Sequence, residues 1–169
     1  MIKSTRVKKE LERITRHPPF GVSCWLKDES NLDILDACIR GLDGTPYESG
    51  IFRIQIQIPE KYPLEPPHMK FVTPVYHPNV DEAGRICMDM LKWPPDGTWS
   101  PVFTLSSVLQ SIQVLLATPN PDDPLRANIF SDAAAAPSTE KRKSLPSEDE
   151  DGLSAAKHLK TEADCDVLT

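Results

Sequence analysis

The chain has 169 residues, of which 39% are apolar and 26% charged, as in an ordinary globular protein. Its net charge of −6 argues against direct nucleic-acid binding, and no run reaches the roughly 18–20 apolar residues that a membrane span requires. The histidines are scattered without metal-ligand spacing, so no metal site is expected.

The first predicted element is a helix over residues 4–16, with Ser4 as its N-cap. Val7, Leu11 and Ile14 recur at helical spacing and form one narrow apolar stripe. Basic side chains dominate the rest of this segment. The sequence leaves two interpretations of them open, a solvated helix face or a docking surface for an acidic protein partner.

Four short strands are predicted next, and the short turns between them imply an antiparallel meander. The third has the clearest pattern, because the isoleucines from Ile54 to Ile58 alternate with glutamines and so occupy one face. The predicted strands are residues 22–27, 34–40, 51–58 and 69–73.

A long loop rich in proline and glycine follows over residues 74–103. Loops of this length inside a compact domain usually carry function. The loop leads into a second predicted helix, whose apolar stripe runs from Leu105 to Leu116 with Thr104 as the N-cap.

The composition changes after Phe130, where aromatic residues end and polar residues dominate. Such a segment cannot bury enough apolar surface to fold. The sequence therefore predicts a globular domain over residues 1–130 and a disordered acidic tail over residues 131–169.

Cys87 lies in the long loop, and by itself it has several interpretations. A lone cysteine is most often a small buried apolar residue. His77 precedes it in the same loop, which suggests a Cys–His protease, but that spacing is not diagnostic and no third member of a triad is evident.

The motifs around Cys87 resolve these alternatives by resemblance. His77-Pro78-Asn79 followed by Cys87 resembles the active-site signature of the ubiquitin-conjugating enzymes. Three further family motifs stand in the expected order, so that the resemblance covers about residues 4–129. These motifs are Tyr62-Pro63 with Pro66-Pro67, Trp99-Ser100-Pro101, and the run from Pro119 to Leu125.

Several segments are most similar to the T-type branch of that family, which acts in the Fanconi anaemia pathway. They are Cys24-Trp25, residues 45–48, residues 83–87, residues 91–97 and Thr98-Trp99. This resemblance implies monoubiquitination in DNA crosslink repair and a location in the nucleus, with the cytoplasm as a second compartment.

The resemblance implies an α+β fold with an N-terminal helix, a four-stranded antiparallel sheet and a central helix. It implies an acyltransferase that receives ubiquitin from a ubiquitin-activating enzyme and works with a RING-type ligase, here the Fanconi anaemia ligase. No cofactor is expected on the chain, since ATP is used upstream by the activating enzyme. Neither nucleic acid nor membrane is an expected direct partner.

The resemblance also assigns roles within the loop. Cys87 would carry ubiquitin as a thioester, on a sulfur exposed in a groove. Asn79 would donate a hydrogen bond to the oxyanion of the reaction, or brace the loop, and both roles stay open. His77 and Pro78 would shape the active-site loop. Asp123 would orient the incoming lysine and accept its proton, with Asp122 as the neighbour that could be confused with it.

Surface residues would meet the protein partners. The basic residues of the first helix would contact both the activating enzyme and the ligase, which would then compete. Leucine at position 64, where the family commonly has phenylalanine, makes the choice of ligase uncertain. The residues expected at this surface are Arg6, Lys8, Lys9, Leu64, Pro101 and Val102.

The sequence departs from the family after residue 130. Family members normally continue with two apolar helices, and here a polar tail follows instead. The C-terminal helices are therefore expected to be absent, which predicts a destabilised domain. An alternative function follows from this departure, a catalytically impaired module that binds a ligase.

Overall fold

The computed structural model describes residues 2–126 of the chain. The first element is helix α1, Ile2–Arg16, and four strands follow it, β1 at Val22–Asp28, β2 at Asn31–Arg40, β3 at Ile51–Gln57 and β4 at His68–Phe71. A short 3-10 helix, Asp89–Leu91, lies in the long loop, and helix α2 spans Leu105–Ala117. The strands pair antiparallel in the order β1-β2-β3-β4, which confirms the predicted α+β meander.

Helix α1 begins earlier than its sequence indicated. Because the helix starts at Ile2, Ser4 lies inside it and the predicted N-cap is wrong. Lys3 explains the extra turn, since its ammonium group contacts Asp33 at 2.5 Å and Glu60 at 3.2 Å and so ties the start of the helix to the rest of the domain.

Helix α2 begins where its sequence predicts. The Thr104 side chain accepts a hydrogen bond from the Ser107 backbone, and the Ser107 hydroxyl bonds back to Thr104, which makes a capping box. The buried face of the helix packs into one core with the inward face of the sheet, which includes Ile54 and Ile56. Val7 and Ile14 of α1 join the same core.

Strand ends differ from prediction by a few residues. Strand β2 starts at Asn31, because Asn31 pairs with Asp28 across the turn. Strand β4 ends at Phe71, where the chain turns so that the Val72 amide and the Thr73 hydroxyl bond to the backbone of Arg53.

The expected disordered tail and the expected absence of C-terminal helices concern residues outside the described part of the chain. Between residues 2 and 126, no helix has the length and apolar character needed to cross a membrane.

Candidate active site

The loop around Cys87 is built on a tight turn at His77. The Val80 amide donates to the His77 carbonyl at 3.1 Å, and the Asn79 amide donates to the ring nitrogen Nδ1 of His77 at 3.0 Å. The Cys87 amide then donates to the Asn79 carbonyl at 2.9 Å. These bonds set Cys87 directly beside the His77-Pro78-Asn79 turn.

Gly84 lets the chain return towards this turn. Its φ is +81°, and a Cβ atom there would lie 2.1 Å from the carbonyl oxygen of Phe71. Glycine alone combines this backbone conformation with so close an approach. The Gly84 carbonyl accepts from the Phe71 amide at 2.8 Å, which fixes the loop to β4.

The Cys87 sulfur lies just below the surface and contacts a carboxylate. Its Sγ is 2.7 Å from Oδ2 of Asp123, and the Lys92 ammonium group pairs with the same oxygen. Cys87 is only 7% exposed, so the structure does not show the sulfur exposed in a groove that the sequence predicted. The two charged groups beside it are partly exposed, with side-chain exposures of 47% for Asp123 and 34% for Lys92, so the site lies near the protein surface.

Opposing effects act on the thiol. Burial raises the pKa of Cys87, and the hydrogen bond to Asp123 raises it further, whereas Lys92 lowers it. The net pKa is raised, so the sulfur is a protonated donor to Asp123 near neutral pH. The hydrogen bond from Cys87, followed by that from Lys92, lowers the pKa of Asp123.

Asn79 braces the segment that carries Asp123. Its side-chain N–H groups donate to the carbonyl oxygens of Asn120 at 2.8 Å and Asp123 at 3.0 Å. Its Oδ1 accepts from the Asn120 amide at 2.9 Å. Asn79 is fully buried, and both of its side-chain N–H groups are used in these bonds, so the arrangement favours the bracing role over free donation to an oxyanion.

Pro78 secures the same segment from the other side. Its carbonyl oxygen accepts from the amides of Leu125 and Arg126, each at 2.9 Å. Asp122 is exposed and its amide bonds to Asn120, whereas Asp123 faces the sulfur. The structure therefore distinguishes the two neighbouring aspartates and assigns the contact with the sulfur to Asp123.

His77 is enclosed and uses both ring nitrogens. Nδ1 accepts from the Asn79 amide, so Nε2 carries the hydrogen and donates to the Leu115 carbonyl at 2.9 Å. Burial lowers the pKa of His77, although the bond to Leu115 acts in the opposite direction. The neutral imidazole links the loop to helix α2.

The residues expected at the partner surface fall into two groups. Lys8 and Lys9 are exposed on α1, and Leu64 and Val102 are 61% and 82% exposed on two separate loops. Pro101 is exposed beside Val102. Arg6 is different, because its guanidinium group bonds to the Phe103 carbonyl at 2.9 Å and pairs with Glu10.

Sequence reasoning missed two charged residues that the structure makes prominent. Lys92 follows Cys87 closely in the chain, and its position in a proline-bounded loop was the one available signal. Glu10 is buried on α1, and the signal available was its helical spacing, which places it between Val7 and Ile14 on the apolar stripe.

Comparison with known proteins agrees with this architecture. Residues 6–145 match the family model described as ubiquitin-conjugating enzyme. Over 132 residues the chain is 54% identical to ubiquitin-conjugating enzyme E2 T of Xenopus laevis. The aligned region covers 78% of this chain and 68% of the relative. The chain is 56% identical to the same enzyme of Danio rerio, with the same coverage. The Homo sapiens enzyme is 51% identical, with 66% of its length covered.

Proposed function

The chain belongs to the ubiquitin-conjugating enzyme family, and we propose that it receives activated ubiquitin on Cys87 as a thioester and passes it to a lysine amine. Family membership makes it a ubiquitin transferase. One observation carries the assignment to Cys87, the contact of its sulfur with Asp123 and, through Asp123, with Lys92.

Cys24 supplies the contrast within the same chain. It is also 7% exposed, but burial raises its pKa to about 12 and it lies in the core among apolar side chains. The Cys87 sulfur instead contacts the Asp123 carboxylate, which also pairs with the Lys92 ammonium group. A nearby ammonium group such as that of Lys92, which lowers the pKa of Cys87, is typical of reactive rather than structural cysteines.

In the loading step, the Cys87 sulfur attacks the carbonyl carbon of the thioester that joins ubiquitin to the activating enzyme. The new C–S bond forms as the old one breaks, and the leaving thiolate of the activating enzyme takes up the proton that Cys87 gives up. Because one thioester replaces another, the step needs no strongly activated thiolate. A raised thiol pKa is compatible with this exchange.

In the transfer step, a lysine amine attacks the thioester carbonyl and the Cys87 thiolate leaves. A free lysine has a pKa of about 10.4, so most of it reaches the site as ammonium. The Asp123 carboxylate attracts and orients that ammonium group, which by itself would raise its pKa, and then accepts the proton released on attack. Asp123 thus positions the nucleophile and removes a proton, while desolvation favours the neutral amine.

Asn79 contributes by holding Asp123 in place. It bonds to the backbone of Asn120 and Asp123, so it sets the distance from the carboxylate to the sulfur. Donation to the oxyanion would require one of its N–H groups to leave a backbone carbonyl. We therefore assign Asn79 a positioning role in the resting enzyme.

The partner surface is proposed to consist of the first helix with two loops. Lys8 and Lys9 offer positive charge, and Leu64 and Val102 offer exposed apolar side chains beside Pro101. Because the activating enzyme and a RING-type ligase would both use this surface, they would bind in turn. On the motif resemblance described above, we propose that the ligase is the Fanconi anaemia ligase and that the reaction is monoubiquitination in DNA crosslink repair in the nucleus.

A loading assay tests the central proposal. The full chain is incubated with activating enzyme, ubiquitin and ATP, and the products are separated on a non-reducing gel. We expect an adduct that a thiol reductant removes. Cys87→Ser should give an ester that resists the reductant, and Cys87→Ala should give no adduct.

Cys24→Ala is the matched control, since Cys24 has the same exposure but is packed in the apolar core. This variant should load like the parent chain. A Cys87→Ala protein that still forms the reducible adduct would overturn the assignment. Absence of any adduct from the parent chain, with ligase binding retained, would instead support the impaired ligase-binding module.

A further inference from the structure

We propose that buried Glu10 is a positioning residue that holds the two partner-binding loops and the first helix in one fixed arrangement. The proposal deepens the proposed function, since it rests on the partner surface assigned above. It concerns a residue outside the reacting groups, and it follows from three contacts that converge on one carboxyl group.

The first contact joins Glu10 to the loop that carries Leu64. The Tyr62 hydroxyl lies 3.1 Å from each carboxyl oxygen of Glu10. Burial raises the pKa of Tyr62, and the charge of Glu10 raises it further, so the hydroxyl keeps its proton and donates. Tyr62 stands two residues before Leu64, so this bond anchors the base of that loop.

The second contact joins Glu10 to the loop that carries Val102. The Leu105 amide donates to Oε2 of Glu10 at 2.6 Å, at the first residue of α2. Arg6, paired with Oε1 of Glu10, also donates to the Phe103 carbonyl at 2.9 Å. The backbone on the C-terminal side of Val102 is therefore held at two points.

Trp99 completes the link between the two loops. Its indole Nε1–H donates to the Pro63 carbonyl at 3.0 Å, and its ring packs against both Tyr62 and Phe103. Leu64 and Val102 are thus presented by two irregular segments that share one buried anchor. Without that anchor, each segment would have to be ordered on binding, which weakens association.

The chemistry of Glu10 favours positioning over stability. Burying a carboxyl group is costly, and apolar side chains often replace buried ion pairs without loss of stability. A carboxyl group here gains three separate donors on three elements, which no apolar side chain could align. The guanidinium group of Arg6 is accordingly engaged by Glu10 and the Phe103 carbonyl. Lys8 and Lys9 are exposed and can contact a partner directly.

Two variants test the two halves of this arrangement in the full chain. Glu10→Gln keeps an oxygen for the Leu105 amide and a group that can bond Tyr62, but it removes the ion pair with Arg6. Tyr62→Phe keeps the ring packed on Trp99 and removes the bond to Glu10. Glu12→Gln is the matched control, since Glu12 lies exposed on the same helix and pairs with Arg16.

Steady-state loading by the activating enzyme gives the main readout. We expect each variant to raise the KM for the conjugating enzyme about tenfold, with kcat unchanged, because the reacting groups are untouched. Discharge of preloaded enzyme to free lysine should also stay unchanged. NMR should show a shift of the Trp99 indole resonance in Tyr62→Phe, and the control should match the parent chain in all three measurements.

An unchanged KM in both folded variants would overturn the proposal. So would an equal fall in loading and in discharge to free lysine, which would indicate general damage. Should Glu10→Gln fail to fold, Tyr62→Phe alone decides, since it removes one hydroxyl group. Failure of the parent chain to load would refute the proposed function instead, so the two failures are distinguishable.

Discussion

The sulfur of Cys87 and the carboxylate of Asp123 meet at 2.7 Å although 36 residues separate them in the chain. The carboxylate opposes ionisation of the thiol, and Lys92 on the same oxygen partly offsets this. The three side chains therefore form a coupled group. Removing Asp123 should make the thiol more reactive, and removing Lys92 should make it less reactive.

Asp123→Asn should make the free thiol more acidic and the loaded enzyme slower. Without the carboxylate, the remaining charge at the sulfur is that of Lys92, so alkylation of Cys87 near neutral pH should speed up several-fold. Discharge to free lysine should fall about tenfold to 100-fold, because the proton acceptor is lost. Asp122→Asn is the control and should change neither rate; equal effects of the two substitutions would contradict the role of Asp123.

Lys92→Met should have the reverse effect on the free thiol. Removal of the ammonium group leaves the effect of Asp123 on the sulfur unopposed, which raises the pKa of Cys87 further. The pH profile of iodoacetamide alkylation should therefore move to higher pH. Lys61→Met, which removes an exposed lysine paired with Glu65, should leave the profile in place. A profile displaced to lower pH would refute the assigned sign.

Asn79→Ala should lower both stability and transfer. It deletes three partly buried hydrogen bonds to the segment that carries Asp123, which should reduce the free energy of unfolding by about 2–3 kcal/mol. Asn79→Asp should cost more, because a carboxylate oxygen would face two carbonyl oxygens. Urea denaturation measures the first effect and lysine discharge the second. Discharge at the parent rate from either variant would contradict the bracing role.

Gly84→Ala should distort the Cys87 loop. An alanine in the left-handed region costs roughly 1–2 kcal/mol, and here the new Cβ would also collide with the Phe71 carbonyl. Gly44→Ala provides a matched comparison, since Gly44 has a φ of +76° but open space around it. Thermal melting should show a larger loss for Gly84→Ala, together with slower loading. Equal losses for the two variants would remove the close approach as the cause.

His77 should give the domain a measurable pH dependence. Its pKa is lowered in the folded protein, so its neutral form is favoured by folding. Stability is therefore full above the unfolded pKa of about 6.5 and declines as the pH falls below it, where only the unfolded chain takes up the proton. NMR titration of the folded protein should show His77 titrating below its unfolded value. A His77 midpoint at or above the unfolded value would contradict this sign.

Most of the scaffold could be predicted because its signals are local. Alternation from Ile54 to Ile58 marked the inward face of β3, and Thr104 marked the start of α2, as the structure confirms. Residue spacing alone did not distinguish Cys87 from a buried cysteine. The family motifs around it were needed, because reactivity depends on neighbours that the sequence does not place in space.

The remaining features arise from tertiary contacts. The helix starts at Ile2 because Lys3 finds acceptors on another part of the chain. Lys92 reaches Asp123 across 31 residues, and Glu10 reaches Leu105 across 95. Arg6 was expected to face a partner, but its bond to Phe103 turns part of its charge inwards.

The Pro78 carbonyl, which binds the amides of Leu125 and Arg126, has a consequence for synthesis of the protein. A ribosome makes the chain from its N-terminus, so Cys87 emerges well before these two amides exist to be bound. During that interval the nascent chain contains the Cys87 thiol without the Asp123 carboxylate that contacts it in the folded protein. Premature termination before residue 123 would therefore release a product that contains Cys87 and Lys92 but lacks the carboxylate of Asp123.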